Sequence, residues 1–476
     1  MWWLIPVIVI LLLAVPVIRA LMFKPDKTDR VIPGDEKFDG DKVIENLQKL
    51  VRCRTVSYRD GSLEDDAEFE KLISMLPELY PNVFSTCEFK RFPDRGLLFC
   101  WKGKNSGEPA VLMAHYDVVP ANEADWSVPA FDAIIKDGAV WGRGTLDTKV
   151  TFGGILFAAE HLIKEGFVPE KTVYFAFSGG EEVNGPGAEH IVDYFEHNKI
   201  TPSMVVDEGG AVVENVFPGV KCPCGLIGIA EKGMMDVEFK AKSAGGHASA
   251  PKPQTPVTAL AKACCTVNSK PFKYHITPPV AKMFDTLGRH SSFVYRLIFS
   301  NLGIFAPLLD MICKKSGGEL NALMRTTVAF TQMEGSAASN VIPPEARIIS
   351  NVRLNPEDSM QSGIDYLRRT VNDTGIEITA LHGMEPSRIS RTDCDGWEKV
   401  AAAVASTWKG CIVSPYLMVQ CSDSRHYGRI SDKVYRFSAM DLTAEERATI
   451  HGNDEHIRIE TAKKAVEFYI RLMRMC

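Results

Sequence analysis

The chain has 476 residues, of which 45% are apolar and 24% charged, a composition typical of a globular protein with two or three domains. A net charge of -6 gives no electrostatic basis for binding nucleic acid. Twelve cysteines follow no zinc-finger spacing, so Cys222 and Cys224, which lack a second pair, are predicted to lie in a loop and not on a structural zinc.

The N-terminus differs from the rest of the chain. Residues 1–18 carry no charge and, with the apolar residues up to Phe23, can span a bilayer. No Lys or Arg precedes the stretch, which disfavours a cleaved signal peptide. We therefore expect a membrane anchor or uncleaved signal over 1–25 and a linker over 26–40. The basic residues after the span favour a cytosolic globular part, whereas the sequon at Asn372 leaves a lumenal or secreted one open.

The globular part begins with helical spacing over residues 41–51 and 67–79. The apolar run 111–120 is then typical of a strand buried on both faces of a parallel sheet, and it carries His115 and Asp117 at its carboxyl end. Ligands of open α/β sheets bind beyond such strand ends. An imidazole and a carboxylate there suit a metal site, in which one side chain binds the ion and the other holds that side chain in orientation. The alternative is a core strand that ends in a hydrogen-bonded histidine.

Three further places repeat this pattern of an apolar stretch next to acids. Asp147 lies between a glycine-rich turn and an apolar helix, where the phosphate-loop spacing is absent. Glu181 and Glu182 follow one apolar strand, and Asp207 and Glu208 follow another. Because parallel strands end at one edge of a sheet, we expect these acids to meet His115 there. Within the first acidic pair, one residue can bind a metal while the other faces the attacking water.

The remaining pattern predicts an α/β fold with a central mixed, mostly parallel sheet and an inserted α+β domain. Residues 41–230 and 386–476 form the catalytic domain, and 231–385 form a lid or dimerisation domain. Residues 275–325 carry apolar helical patches with two interpretations: lid core or dimer surface, or else an acyl-chain channel or membrane-lying surface. The first is favoured because apolar helical stripes are usually core. The chain ends in an amphipathic helix over 460–473.

Taken in order, these motifs resemble the co-catalytic metallopeptidases of the M20 family. The matching motifs are His115-x-Asp117, Gly144-Thr-Leu-Asp147, Glu181-Glu182, Asp207-Glu208-Gly209, Gly245-Gly-His247-Ala-Ser-x-Pro251, Asn340-Val-Ile-Pro343, Asn351-Val-Arg353 and His451-Gly-Asn-Asp454-Glu455. The resemblance covers about residues 41–476. The hydrophobic N-terminus and the lengthened middle domain are similar to the branch of Gly-X carboxypeptidases and N-fatty-acyl-amino-acid synthase/hydrolases. One departure is Asp454, where many relatives have Asn.

The resemblance implies two Zn²⁺ ions held by five ligands. These are His115 and Glu208 on one ion, Glu182 and His451 on the other, and Asp147 between them. Cobalt or manganese accept the same ligands, so the native metal stays open. The choice of Glu208 over Asp207 rests on relatives that have one acid here, because the chemistry alone allows either.

The resemblance also assigns roles to five residues that are not metal ligands. Glu181 would be the general base, and Asp117 would orient His115 through its second ring nitrogen. His247 would stabilise the developing oxyanion, often from the partner subunit of a homodimer formed through the lid. Asn340 and Arg353 would hold the terminal carboxylate of the substrate, because a guanidinium fork matches it.

These roles imply a hydrolase that cleaves the amide bond of a peptide or N-acyl amino acid next to a free carboxylate. Within that class, a carboxypeptidase, an amidase and a reversible N-fatty-acyl-amino-acid synthase/hydrolase stay open. A non-catalytic metal- or ligand-binding module on the same fold would have lost the general base. Glu181 is present, which favours the enzyme.

Overall fold

Two β-sheets organise the chain, and the computed structural model describes residues 14–25, 30–215, 217 and 219–476. The strands of the larger sheet are β1 (Glu88–Phe92), β2 (Gly96–Trp101), β3 (Asn105–His115), β6 (Lys171–Ser178), β7 (Met204–Val213), β8 (Cys224–Glu231), β15 (Ile412–Met418) and β16 (Val434–Leu442). Their order is β1-β2-β6-β3-β7-β16-β8-β15. The four central strands β6, β3, β7 and β16 run parallel, and β1 and β2 form an antiparallel edge. The predicted α/β class with a mixed sheet is confirmed.

Helices cover both faces of the larger sheet. One face carries α2 (Gly40–Val51), α3 (Asp66–Leu79), α4 (Pro81–Thr86), α5 (Lys149–Lys164), α13 (Asp395–Thr407) and α15 (Ile459–Arg474), and the other carries α6 (Gly187–His197). Side chains of β3 alternate between the two cores: Leu112 packs on the first face, and Val111 and Met113 on the second. The cap of α2 is Asp39, whose side chain accepts the backbone N–H of Lys42.

The smaller sheet is antiparallel and forms the unit that we call the lid. Its strands are β9 (Gly233–Lys242), β11 (Thr327–Glu334), β13 (Glu345–Leu354) and β14 (Ile376–Met384), in the order β11-β13-β9-β14, with α7 (Pro256–Ser269) and α12 (Met360–Val371) packed on it. Beyond the far ends of β9 and β13, β10 (Gly246–His247) pairs with β12 (Val341–Ile342). We call this pair and the loops around it the lid tip. The predicted domain limits remain a prediction.

The helices within residues 275–325 pack on the larger sheet. They are α8 (Pro278–His290), α9 (Phe293–Phe299), α10 (Leu302–Ser316) and α11 (Gly318–Met324). Val280, Phe284 and Leu287 of α8 are buried in the core of the larger sheet, where α8 lies against β15. The lid-core interpretation of this stretch is therefore wrong. Apolar spacing shows that one face of a helix is buried, but it does not show which sheet covers that face.

A third, smaller sheet joins strands from two distant parts of the chain. Its three strands are β4 (Ile134–Lys136), β5 (Ala139–Trp141) and β17 (His456–Arg458), and α14 (Ala444–Thr449) precedes β17 in the chain.

The N-terminal part of the chain is only partly described. The described part of α1 covers residues 14–22, and most of the predicted anchor, residues 1–13, lies outside the described residues. Within the described chain, no single helix is long and apolar enough to cross a membrane. The pair α9 and α10, bent by 106°, meets that test jointly by length and composition.

Candidate metal centre

The parallel strands β3 and β6 end side by side and deliver the first groups of the site. His115 is the last residue of β3 and lies in register with Ser178, the last residue of β6. Glu181 and Glu182 follow in a short 3₁₀ turn. Glu208 comes from the neighbouring strand β7, which pairs with β3. The ends of β3 and β6 therefore meet at one edge of the sheet, as the sequence indicated, whereas Glu208 lies within β7.

Two imidazoles and three carboxylates converge at this edge. The Nε2 atom of His115 lies 3.0 Å from Oδ1 of Asp147 and 3.3 Å from Oε1 of Glu208. The Nε2 atom of His451 lies 3.0 Å from Oδ2 of Asp147 and 3.0 Å from Oε2 of Glu182. Asp147 thus presents one oxygen to each imidazole. This is the arrangement expected of a ligand that bridges two cations.

The electrostatics of the imidazoles favour positive charge. Burial acts to lower the pKa of His115, but Glu208 and the other neighbouring acids raise this pKa well above its usual value. Hydrogen bonds to Asp147 and Glu182 raise the pKa of His451 to about 10. Both rings therefore lie where a cation is stabilised, be it a proton or a metal ion.

The acids give the matching result. Burial raises the pKa of Glu208 to about 8 and also raises the pKa of Glu182. Packing several ionised carboxylates into a buried site is unfavourable unless positive charge compensates them. Imidazole nitrogen and carboxylate oxygen are ligands of divalent transition metals, so the residues present fit two such ions.

Glu181 borders this centre and can exchange a proton there. Its carboxylate, His115 and Glu208 offer ligand atoms within 4.8 Å of one another. Burial raises the pKa of Glu181 well above its usual value, although nearby His115 opposes the shift. A carboxylate whose pKa is raised by burial is better suited to take a proton and return it.

The carboxylate of Asp117 mainly holds a turn. The Nδ1 atom of His115 lies 3.0 Å from the backbone oxygen of Asp117 and 3.4 Å from its carboxylate. The two carboxylate oxygens accept the backbone N–H groups of Glu181, at 3.1 Å, and Glu182, at 3.2 Å. Asp117 therefore orients His115 chiefly through its backbone carbonyl, while its side chain positions the two acids.

Glu455 is a residue of the site whose role the sequence did not predict. It is fully buried and accepts the backbone N–H groups of Gly144, Leu146 and Asp147, at 2.7–3.2 Å, as well as the guanidinium of Arg143. It fixes the turn that presents Asp147. The sequence shows Glu455 only as an acid four residues after His451. Most hydrogen-bond partners of Glu455 are backbone atoms, which no pattern of side chains reveals.

The two acids of β7 have different partners. Glu208 faces His115, whereas Oδ2 of Asp207 accepts the N–H of Ser424 at 2.9 Å. Asp454, the departure from the family motif, accepts hydrogen bonds from the N–H and hydroxyl of Ser127. Asp207 and Asp454 therefore support the surrounding loops.

Arg353 lies at the base of the lid. It is half-buried; its Nε donates to Asn351 at 2.9 Å, and its Nη1 lies 3.5 Å from the sulfur of Cys421. Cys421 comes two residues before Asp423, a buried acid that helps to raise the pKa of Glu181. The base of the lid thus approaches the neighbourhood of the metal centre.

His247 and Asn340 lie at the lid tip and are both exposed. His247 contacts Ser249 through Nδ1 at 2.8 Å, and the oxygen of Asn340 accepts the N–H of Ala248. Strand β13 separates Asn340 from Arg353, and its ten residues extend roughly 30 Å. Within one chain the extended strand holds the two residues apart, and their action as a pair on one substrate stays a prediction.

Comparisons with known proteins agree on one family. Residues 111–475 match the sequence model of peptidase family M20/M25/M40. A probable carboxypeptidase S-like protein of Dictyostelium discoideum is 32% identical over 441 residues, which are 91% of this chain and 85% of that protein. An N-fatty-acyl-amino acid synthase/hydrolase of Xenopus tropicalis is 32% identical over 480 residues, 99% of this chain and 93% of that protein.

Solved structures show the same fold. An M20 family metallo-carboxypeptidase from Sulfolobus solfataricus superimposes with a TM-score of 0.67 at 18% identity, over 91% of this chain and 98% of that one. A dinuclear metal-binding peptidase of the M20 family from Bacillus subtilis superimposes with a TM-score of 0.56 at 14% identity, over 92% and 98%.

Proposed function

The chain belongs to peptidase family M20/M25/M40 and is a metal-dependent hydrolase, and on that premise we propose that it uses two zinc ions to cleave an amide bond next to a free carboxylate. The observation that carries the proposal is the convergence of two imidazoles and three carboxylates beside Glu181. Such a pair of ions, when bound, polarises the amide carbonyl and stabilises the attacking and leaving groups. The substrate is a small peptide or an N-acyl amino acid.

The residues of the chain supply proton transfer and orientation. Glu181 takes a proton from the attacking water and passes it to the departing nitrogen. The hydrogen bonds from the Glu181 and Glu182 N–H groups to Asp117 keep that carboxylate in place. Arg353 at the base of the lid binds the carboxylate of the substrate, because its planar fork matches two carboxylate oxygens.

A cleft beside the metal centre supports an apolar group on the acyl side. Its volume is about 420 Å³, and its lining combines apolar side chains with the charged Arg59 at one position: Tyr58, Arg59, Val183, Asn184, Met234, His382, Gly383 and Met384. Val183 directly follows Glu182, and Met234 pairs with Arg353 in the lid sheet, so the cleft lies between the acid turn and the carboxylate-binding arginine. Flexible methionine side chains adapt to apolar chains of varied shape. The methionines of the cleft therefore favour N-acyl amino acids as substrates. Hydrolysis and condensation of such a substrate pass through the same transition state, so the site can support either direction.

The lid tip supports a dimer in which one chain completes the site of the other. His247 and Asn340 are exposed and lie about one strand length from Arg353. A test mixes inactive Glu181→Gln chains with inactive His247→Ala chains. If His247 acts in trans, the mixture regains activity, because half of the sites in mixed dimers then contain both residues. No recovery after subunit exchange would contradict the action of His247 in trans.

The membrane anchor remains a proposal on composition alone. The uncharged residues 1–18 can span a bilayer, and the basic residues after them favour a cytosolic body. A cleaved segment would instead give a lumenal or secreted protein.

A substrate panel tests the proposed reaction. Zinc-loaded full-length protein is assayed with Gly-X dipeptides, N-acetyl amino acids and N-oleoyl amino acids, each as the free acid and as the carboxamide. We expect turnover of the acids and a strong loss with the amides. Arg353→Ala should erase most of this difference, and Arg353→Lys should retain little of it, since lysine lacks the fork. Equal turnover of acid and amide by the native protein would refute carboxylate recognition.

A further inference from the structure

Exposed apolar side chains are concentrated in two segments of the described chain. Of the 21 large apolar residues that are exposed there, eleven lie in residues 15–22 and 293–312. The other ten are scattered along the chain, as is normal for a protein surface. A concentration of this kind indicates a surface that is covered by something apolar.

Helix α10 is apolar on both of its faces. Ala306, Leu309 and Cys313 face the core of the larger sheet, which is ordinary for a surface helix. The outward face carries exposed apolar residues at helical spacing, where a surface helix usually has charges. These residues are Ile304, Leu308, Met311 and Ile312.

Helix α1 is held against the same region. The side-chain amide of Asn301, between α9 and α10, donates to the backbone oxygen of Pro16 at 3.1 Å. The guanidinium of Arg289 lies 4.8 Å from the ring centre of Phe23 and donates to the oxygen of Lys24. The exposed apolar residues of α1, α9 and α10 therefore form one surface, which we call the apolar platform.

The charges around the platform are mostly basic. Arg19, Arg296, Lys314 and Lys315 lie on α1, α9 or α10, and Lys24 lies two residues after the end of α1. The single acid on these helices, Asp310, is buried and paired with Arg325 and Lys314. In a chain of net charge -6, such a basic border is complementary to anionic lipid headgroups.

The chain that precedes the platform points to the same occupant. Residues 1–13 contain no charge, and they continue into α1 at the platform. We propose that the apolar platform lies in the interface of a lipid bilayer with anionic headgroups, with α10 parallel to the membrane surface. An amphipathic helix binds in this way when its apolar face enters the boundary between headgroups and acyl chains. The body of the protein then rests on the membrane through α10 as well as through its N-terminus.

Photo-crosslinking tests this placement in the full-length protein. The photoreactive amino acid benzoylphenylalanine is introduced at Leu308 and, as a matched control, at Met333 on lid strand β11. Leu308 is 44% exposed and Met333 64% exposed, so the control is the more accessible site. In vesicles of phosphatidylcholine and phosphatidylglycerol, position 308 should form lipid adducts on the order of tenfold more often than position 333.

Two other products would overturn the proposal. Adducts from position 308 to a second copy of the chain would make the platform a self-association surface. Adducts to residues 1–13 of the same chain would mean that this segment folds back over it. An absence of lipid adducts above the level at position 333 would reject the bilayer as the occupant.

A release experiment separates the part of the apolar platform formed by α9 and α10 from the N-terminal segment, which carries the part formed by α1. A protease site is placed in residues 26–29 of the full-length protein, and the chain is cut after binding to the vesicles. The native body should stay bound, whereas a body with Leu308→Lys and Met311→Lys should dissociate, and Met333→Lys should behave as native. Turnover of a soluble substrate reports that the variants are folded. Complete release of the native body would overturn the proposal.

Discussion

The metal centre and the lid tip both carry residues predicted to act in catalysis, but one chain builds only the first. At the metal centre, Asp117 and Glu455 are fully buried and accept backbone N–H groups from the segments that carry the ligands. At the lid tip, His247 and Asn340 are exposed, and among the described residues the hydrogen bonds of the imidazole are to the neighbouring Ser249. The difference teaches that one chain brings the predicted metal ligands together by itself, whereas the predicted role of His247 would require the lid tip to meet another surface.

The largest expected effect comes from Glu181→Gln, which tests whether binding and chemistry are separate at the metal centre. Glutamine has the same shape but cannot accept the proton, so kcat should fall by about 10²–10⁴-fold or more. Metal content, measured by elemental analysis, should stay at the native value. Retained turnover would assign the base to another residue, and lost metal would make Glu181 a ligand.

His247→Ala tests, by the same measurements of kcat and metal content, whether the lid tip takes part in the chemistry. If the imidazole stabilises the developing oxyanion, kcat should fall by about 10²–10³-fold. Metal content and melting temperature should not change, because the ring is exposed and forms no contact with the larger sheet. Ser249→Ala is the matched control, since it removes the ring's partner and leaves the imidazole. A native rate in His247→Ala would remove the lid tip from the mechanism.

Asp117→Asn should have a smaller effect than either change. The amide retains one acceptor oxygen for the N–H groups of Glu181 and Glu182 and keeps the backbone carbonyl that faces His115. Replacing a group that supports metal ligands typically costs about 10–100-fold in affinity or activity. Metal affinity, measured by titration, and kcat should each fall by this factor. A loss as large as that of Glu181→Gln would mean that Asp117 itself takes part in the chemistry.

Metal removal should reveal a pH-dependent weakness of the same centre. The folded chelated protein holds protons on Glu208, with a pKa of about 8, and on His451, with a pKa of about 10. Its stability should therefore fall as pH rises from about 5 through these values. Bound metal replaces the protons and binds better at higher pH.

Thermal denaturation with and without chelator measures the gap between the two forms. The gap should widen from about pH 5.5 to pH 8.5, by roughly 1 °C for each kcal/mol of linkage in a chain of 476 residues. The His247→Ala variant is the control and should show the same gap, because the lid tip contributes no ligand. A gap that is constant or shrinks over this range would contradict the assignment of Glu208 and His451 to the metal site.

The sequence predicted the parts of the site that depend on strand ends. Apolar runs followed by His115, Glu182 and Glu208 required only that neighbouring strands be parallel, and the parallel pairing brought these residues together. Glu455 escaped prediction because its partners are mainly backbone atoms more than 300 residues earlier in the chain.

The sequence also could not place elements whose partners lie in another layer. The apolar face of α8 was readable, but its position against β15 follows from the tertiary fold. The separation of Asn340 from Arg353 likewise follows from the straight course of β13 between β9 and β11, which a motif match does not contain. Local pattern therefore predicted which residues are buried or polar, and long-range pairing determined what they meet.

The dependence of the metal centre on both ends of the chain also has a consequence for biosynthesis. His451 and the supporting residue Glu455 lie within the last 26 residues. The other predicted metal ligands, His115, Asp147, Glu182 and Glu208, precede the lid. At about 5–20 residues per second, the ribosome needs roughly 15–50 seconds to travel the nearly 270 residues from Glu182 to His451. During that time the emerging chain exposes an acidic half-site and an unpaired sheet. The metal centre can therefore close only after the C-terminal segment that carries His451 has been made.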